Sequence, residues 1–351
     1  MKTILASRPS IGQVTRHYTL RRGAGIEGLT LRTRIAQPLR PGEVRVRIRA
    51  VALNYRDLML AQGTAGPAGR DVTPASDGAG DVVEVGPGVT DLQVGDRVIS
   101  TFFPDWLDGP PDDAAMTRAL GGSMDGVLAE EVVLPATAWV RMPGHLTYTE
   151  ASTLPCAGVT AWHALFGLEP LPAGSWVALL GTGGVSTWAL RLAKAAGLRT
   201  VVTSSDDAKL EVARAAGADL TVNYRTTPAW GQAIVNATDG RGVDRVVETV
   251  GPATMAQSIL ALRTGGIAAI IGRLSGAEPA QFDPADLFVG AKRLVGLMVG
   301  SRRMTDELAR FLEEHRLHPL IDHVGTFDEA AAGYAALAQA RQIGKIVLRI
   351  P

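Results

Sequence analysis

The chain has 351 residues, longer than one hydrophobic core ordinarily serves, so two domains are expected. Lys plus Arg and Asp plus Glu each number 35, giving a formal net charge of zero; this speaks against whole-chain attraction to nucleic acid or an anionic membrane and points to a small partner. The single cysteine, Cys156, excludes an intrachain disulfide and a four-cysteine zinc site, and suits a reducing compartment.

The opening MKTILASRPS breaks at Ser7, Arg8 and Pro9 before a signal-peptide core forms. No apolar run reaches the ~18 residues that span a bilayer, so a cytoplasmic location is expected. From Glu43 the texture is short and alternating. In EVRVRIRAVAL, Val44, Val46, Ile48 and Ala50 are expected on one face and Arg45, Arg47 and Arg49 on the other, a half-buried strand. DVVEVGPGVTDLQVGDRVIS repeats the texture with Gly-Pro-Gly and Gly-Asp turns. The first 150 residues or so therefore read as mainly β. After Pro155, strand and helix alternate, which favours a parallel sheet covered on both faces, an α/β arrangement. The expected strands are 176–180, 199–203, 219–224, 243–250, 266–271 and 294–299. Helix starts fall at Asp206-Asp207, Thr227-Pro228 and Pro252. The tail RQIGKIVLRI is again strand-like and returns to the first domain.

WVALLGTGGVSTWALRLAKAAG places Gly181, Thr182, Gly183, Gly184 and Val185 at the seam between the first strand and first helix of the alternating part. A turn without side chains lets phosphates approach backbone N–H groups at a helix start, where the dipole favours anions. Ser186 occupies the third position of the G-x-G-x-x-G fingerprint. The preceding strand, the following helix and a further strand about twenty residues on supply the dinucleotide-binding context; the alternative is a tight turn with no ligand. The second strand ends in Thr203, Ser204 and Ser205, with Lys209 one turn into the next helix. A site for NAD wants a carboxylate there, whereas hydroxyls plus a cation suit the extra phosphate of NADP. Asp206 and Asp207 argue the other way unless they cap the helix. NADPH is therefore expected to be preferred over NADH.

With the first domain added, the succession ALNYRDLMLAQG, PASDGAGDVVEVGPGV, VGDRV, GVLAEEVVLP, STLPCAGVTAWHAL, GTGGVS, GADLTVNYR, VDRVVETVG and GKIVL resembles the medium-chain dehydrogenase/reductase superfamily. Its zinc-independent, quinone-oxidoreductase-like branch, often called alcohol dehydrogenase-like, is the nearest match. The resemblance implies a GroES-like, mainly-β catalytic domain from residues 1–153 and 318–351, a six-stranded Rossmann domain over 154–317, and an active site in the cleft between them. It also implies a homodimer paired through the last Rossmann strands, for which RLVGLMVG is the candidate edge.

Zinc members of the superfamily use three protein ligands and an open position. Here Asn54 stands for the first cysteine, Ser76 for the histidine and Asp77 for the neighbouring glutamate, leaving Cys156 alone. The structural zinc lobe is replaced by TFFPDWLDGPPDDAAMTRALGG. None of the six histidines forms part of a metal set, so no metal is expected, and Cys156 reads as a small buried hydrophobe or a reactive thiol. Without metal, hydride transfer relies on donors aimed at developing negative charge. Asn54 is the candidate amide donor and Tyr55 the candidate donor or proton relay; the alternatives are a turn cap and interface packing. Asp77 is either a third catalytic group or an orienting carboxylate. Arg56 and Asp57 read as a charge pair ordering this loop.

By the same resemblance, Thr160 approaches the nicotinamide, Tyr224 and Arg225 the adenosine end, and Val250, Gly251, Gly272 and Arg273 the ribose and nicotinamide face. Ser301, Arg302 and Lys345 are further cofactor positions, with surface charge or strand-end turns as alternatives. Phe102, Phe103 and Trp106 either wall an apolar substrate pocket or pack at the domain interface. Three activities follow. The first is an NADPH-dependent reductase of quinones, enals, enones or other activated alkenes. The second is a metal-free alcohol dehydrogenase or carbonyl reductase. The third is a dinucleotide-binding sensor or nucleic-acid partner, against which the balanced charge argues despite the Arg45, Arg47 and Arg49 stripe.

Overall fold

A computed structural model describes residues 12–64 and 71–351; the signal-peptide reading of the first ten residues lies outside them. The chain divides into two compact units. The first takes in the chain up to Cys156 with Gly300–Arg316 and Ile321–Pro351, and the second Ala157–Val299 with Leu317–Leu320. The helix Arg302–His315 thus groups with the first unit, although it lies inside the stretch that the sequence gives to the Rossmann domain. Trp106 O accepts the Arg302 N–H at 2.8 Å, and the Glu313 carboxylate accepts the Gly144 N–H at 2.7 Å.

The first unit is mainly β. Strands β1 (Val14–Leu20) and β2 (Leu29–Ile35) form an antiparallel pair. The larger sheet contains β3 (Glu43–Leu53), β4 (Asp77–Val85), β5 (Arg97–Ser100), β6 (Glu131–Pro135) and β7 (Trp139–Arg141). It is completed by β14 (Ile321–Thr326) and β15 (Lys345–Arg349), which return from the chain's end. The order is β14-β15-β3-β4-β5-β7, with β6 also pairing β3.

β3 departs from simple alternation. Its register against β4 slips between Ile48 and Ala50. Val44, Val46 and Ile48 face the main core, Val51 and Leu53 resume it, and Ala50 packs instead with Ala52 and Val347. A bulge of this kind inserts one residue and flips the side-chain phase. The basic stripe is neutralised on neighbouring strands: Arg45 pairs with Glu84 at 2.8 Å, Arg47 with Glu131 at 3.2 Å and Arg49 with Asp81 at 2.9 Å. Phe102, Phe103 and Trp106 are all buried. The Arg56 guanidinium lies 4.4 Å over the Phe102 ring, a contact inside the first unit that neither sequence reading of these aromatics named.

The second unit is a sheet of six parallel strands in the order β10-β9-β8-β11-β12-β13. These are β8 (Trp176–Leu180), β9 (Arg199–Ser204), β10 (Leu220–Asn223), β11 (Val243–Glu248), β12 (Leu262–Ile270) and β13 (Arg293–Gly296). Helices cross between them, Gly184–Ala195 after β8 and Asp207–Ala215 after β9. The sequence predicts all six strands within a few residues. Pro228 lies in a turn, and the following helix begins at Trp230. The strand order reverses between β8 and β11, the switch point where such sheets bind ligands at the carboxyl ends of their strands. At the opposite ends, Asp244 accepts the Trp176 N–H at 2.8 Å and pairs with Arg241 at 2.7 Å and Arg263 at 2.6 Å. That cluster tightens the sheet far from the glycine turn.

Candidate active site

The second unit supplies a phosphate cradle. Gly181 has φ +77° and Gly183 caps the helix Gly184–Ala195 without a side-chain bond. A Cβ added at either glycine meets no atom within 4 Å: the space is open, and a side chain would fill it. Ser186 tolerates the third fingerprint position because its hydroxyl turns inward and donates to Leu180 O at 2.7 Å. Thr182 is buried, and Val185 lies half-buried in the helix's first turn.

The ends of β9 and β10 lie side by side. The Tyr224 N–H donates to Ser204 O at 3.0 Å, which brings Ser204, Ser205 and Tyr224 to one edge, with Arg225 next along the chain. The two aspartates there are engaged. Asp206 accepts the Ala208 N–H at 2.8 Å, and Asp207 accepts from the Asn223 amide at 2.8 Å. Lys209 is half-buried in the first turn of that helix.

At the ends of β11 and β12 the sequence reading missed a residue. Glu248 is fully buried. Its Oε1 accepts the Val250 N–H at 2.8 Å, the Gly251 N–H at 2.9 Å and the Thr254 hydroxyl at 2.9 Å, while Oε2 accepts from Ser258. The turn is packed backbone to backbone: a Cβ on Gly251 would come within 2.9 Å of Arg273 Cα, and one on Gly272 within 2.3 Å of Thr249 O. Glu248 thereby fixes the Val250-Gly251 turn, against which Gly272 and Arg273 pack. The available signal was a carboxylate inside the apolar run VDRVVETVG. Thr160 is buried in the helix Val159–Phe166.

The first unit holds a buried polar cluster. Asn54 precedes the helix Tyr55–Gln62 as its N-cap, and the Asp57 carboxylate reaches back to accept the Asn54 N–H at 2.8 Å. Arg56 turns away and donates to Leu120 O at 2.7 Å, so Arg56 and Asp57 order the loop through separate partners rather than as a pair. Tyr55 is 43% exposed. Asp77 is fully buried at the start of β4. It accepts the Ser76 hydroxyl at 2.5 Å and the Cys156 N–H at 3.1 Å, and its Oδ2 lies 3.9 Å from the Lys345 ammonium. Lys345, at the head of β15, is buried and donates to Leu53 O at 2.7 Å and Asn54 Oδ1 at 2.5 Å.

The cluster shifts its own acids. Burial pushes the Asp57 carboxyl up to about 6, against the pull of Arg56 and the Asn54 N–H. Burial also raises Asp77, partly offset by Lys345, the Ser76 hydroxyl, the Asn54 amide and the Cys156 N–H. Part of Cys156 reaches solvent, yet desolvation and then the Asp77 charge push its thiol up to about 12. A neutral thiol at pH 7 is a poor nucleophile.

Lys345, Ser301 and Arg302 belong to the first unit, so the cofactor set read from the sequence divides between the two. Ser301 caps its helix by accepting the Met304 N–H at 3.2 Å, and Arg302 donates to Trp139 O at 3.3 Å and pairs with Asp91 at 3.6 Å. Those contacts give both residues a structural task within that unit. Among the described residues no three His, Cys, Asp or Glu side chains gather at metal-binding spacing, and no helix is long and apolar enough to cross a membrane.

Comparison with known proteins also finds two domains, the second profile running on through most of the helix Arg302–His315. Residues 40–144 match the family profile described as alcohol dehydrogenase GroES-like domain, and residues 184–314 the profile described as zinc-binding dehydrogenase. A zinc-type alcohol dehydrogenase-like protein of Schizosaccharomyces pombe is 41% identical over 322 residues, covering 90% of this chain and 93% of that protein. A crystal structure assigned as an alcohol dehydrogenase from Sinorhizobium meliloti superposes with a TM-score of 0.90 at 38% identity, covering 96% and 99% of the two chains. A second, of an NAD-dependent alcohol dehydrogenase, gives 0.87 at 31% identity, covering 96% and 100%. The chain belongs to the medium-chain dehydrogenase/reductase superfamily, as an alcohol dehydrogenase-like oxidoreductase.

Proposed function

We propose that the chain is an NADPH-dependent oxidoreductase that works without zinc, reducing a quinone, an enal or enone, or another activated alkene. The observation that carries this reading is the make-up of the Asn54, Asp77 and Lys345 cluster. The name of the matching family profile implies zinc, and these residues do not fit it. Catalytic zinc wants three donors such as thiolate, imidazole or carboxylate. Here Cys156 is the lone thiol, Asn54 and Ser76 replace ionisable ligands, and the carboxylate at a ligand position, Asp77, faces an ammonium at 3.9 Å that repels a dication.

The glycine cradle fits a dinucleotide. Gly181, Gly183, Gly184 and Val185 would hold the pyrophosphate, and Ser204, Ser205 and Lys209 the additional phosphate of NADP. The cap formed by Asp206 and the bond that Asp207 accepts from the Asn223 amide support NADP by engaging the competing ribose carboxylates. Bound NADPH supplies a hydride, two electrons with one proton, to the electrophilic carbon of the alkene. The developing negative charge passes to the conjugated carbonyl oxygen, where a donor such as the Asn54 amide lowers the barrier; preorganised donors of this kind are worth about 2.7–4 kcal/mol. Tyr55 is the candidate for returning a proton to the adjacent carbon.

A second reading, a metal-free alcohol dehydrogenase or carbonyl reductase using NAD, draws support from the similarity to the NAD-dependent alcohol dehydrogenase. Alcohol oxidation requires a base at the hydroxyl, and the cluster offers only Asp57 and Asp77, both held by internal hydrogen bonds. Following nicotinamide absorbance with NADPH or NADH against a quinone, an enone and an aldehyde separates the two. The proposal expects enone or quinone turnover favouring NADPH; aldehyde reduction alone, favouring NADH, supports the second reading. A homodimer through β13 is part of the proposal, supported by the exposed Phe288, Val289 and Met298 near that edge in sequence.

A further inference from the structure

Asn223 ends β10 opposite Ser204 of β9, and its side-chain amide joins two elements there. Oδ1 accepts the Arg225 N–H at 3.0 Å, and Nδ2 donates to Asp207 Oδ1 at 2.8 Å. The chemistry of the partners fixes which way the amide points, because a backbone N–H only donates and a carboxylate only accepts. Asn223 O also accepts the Thr227 N–H at 2.9 Å and the Thr226 hydroxyl at 3.2 Å, so one residue shapes the turn that carries Tyr224 and Arg225. The two aspartates beside it are tied differently. Asp206 is held by the backbone of the helix it caps, through the Ala208 N–H at 2.8 Å. The exposed Asp207 is held by a side chain from the neighbouring strand.

We infer that Asn223 is a positioning residue for coenzyme choice: by holding the Asp207 carboxylate against the end of β10, it keeps that charge off the ribose 2′-position. The ligand class it favours is a dinucleotide bearing a 2′-phosphate. Released, Asp207 is the kind of carboxylate, just beyond the second strand, that accepts from a ribose 2′-hydroxyl and repels a phosphate. Two unit charges about 4 Å apart in water change an affinity about fivefold, and a phosphate monoester carries about 1.5–2 charges at pH 7, so the effect is measurable even at an exposed site. The identity of the ligand rests on the NADPH reading above; the hold on Asp207 does not. The two fail separately. The wild-type ratio of NADPH to NADH Kd tests the first, and the change in that ratio when Asp207 is released tests the second.

Asn223→Ser keeps a short side-chain acceptor for the Arg225 N–H but is too short to hold Asp207. In this variant calorimetry should show the NADPH Kd raised about fivefold or more, with the NADH Kd lowered or within about twofold of wild type. The NADPH loss relative to wild type should shrink in ~1 M salt, where the screening length is about 3 Å. Adding Asp207→Asn, which removes the charge, should bring the NADPH Kd back to within about twofold of wild type, whereas Asp207→Asn alone should change it by less than about twofold. A merely loosened turn would not be rescued by deleting a charge. Asn223→Thr, measured alongside, offers the same acceptor on a side chain suited to a strand end and guards against a misfolded serine variant. Equal losses for both nucleotides, no rescue by Asp207→Asn, or an unchanged ratio in both variants overturns the inference. If the wild-type protein binds NADH more tightly than NADPH, the NADPH reading fails, and Asn223→Ser must still move the ratio further toward NADH for the hold on Asp207 to stand.

Discussion

Asp57 accepts the backbone N–H of Asn54 at 2.8 Å, and the acceptor is completely buried. Its carboxyl sits at about 6 in the folded chain, against about 3.9 for an unfolded aspartate. A raised carboxyl binds its proton more tightly when folded. Its contribution to stability is therefore full below about pH 4 and lost as pH rises through about 6, on the order of 3 kcal/mol. Urea unfolding across this range should show stability falling with pH, Asp77 acting in the same sense. Asp57→Asn, which can still accept from Asn54, should flatten the fall; an unaltered slope would show that Asp57 is not its source.

Gly183 separates binding from folding. Its backbone is unstrained, with φ −77°, and an added Cβ meets only open space. Gly183→Ala should leave unfolding stability within about 0.5 kcal/mol while weakening NADPH by about tenfold or more, read by calorimetry. Undiminished affinity would place the phosphates elsewhere.

Cofactor preference should depend on Lys209. A charge-assisted bond to a phosphate contributes about 1.5–3 kcal/mol when well formed, and less at this half-buried site. Lys209→Ala should raise the NADPH Kd about tenfold and leave the NADH Kd alone. Equal effects on both nucleotides would remove it from the 2′-phosphate.

Glu248 accepts two backbone N–H groups and two hydroxyls. Glu248→Gln sets an amide donor among donors and should cost about 1–3 kcal/mol, seen as a lower melting temperature, with nucleotide affinity falling as the Val250-Gly251 turn loosens. A silent substitution would mean that the turn holds itself.

These tests fall on residues of unequal visibility in the sequence. The glycine turn was legible because the positive φ at Gly181 dictates its residue type locally, whereas the backbone at Gly183 makes no such demand. The six parallel strands were legible from the alternation of apolar runs with helical spacing. Ala50 was misplaced, because a bulge leaves no mark in a pattern of alternating side chains. The grouping of the helix Arg302–His315 depends on tertiary contacts to Trp106 and Gly144 that no local signal records. Lys345 was visible as a position but not as the partner of Asn54, since the two are 291 residues apart and β15 brings them together by pairing with β3. Glu248 was passed over because a carboxylate at a strand end reads as exposed until its four donors are seen.

The central claim is that this family member moves hydride without a metal. Its most direct test is NADPH-dependent reduction of an enone or quinone by protein whose zinc content is measured before and after exhaustive chelation. The account predicts well under one zinc per chain and a kcat indifferent to chelation. Activity that disappears with the metal and returns on adding about one equivalent of zinc would contradict it.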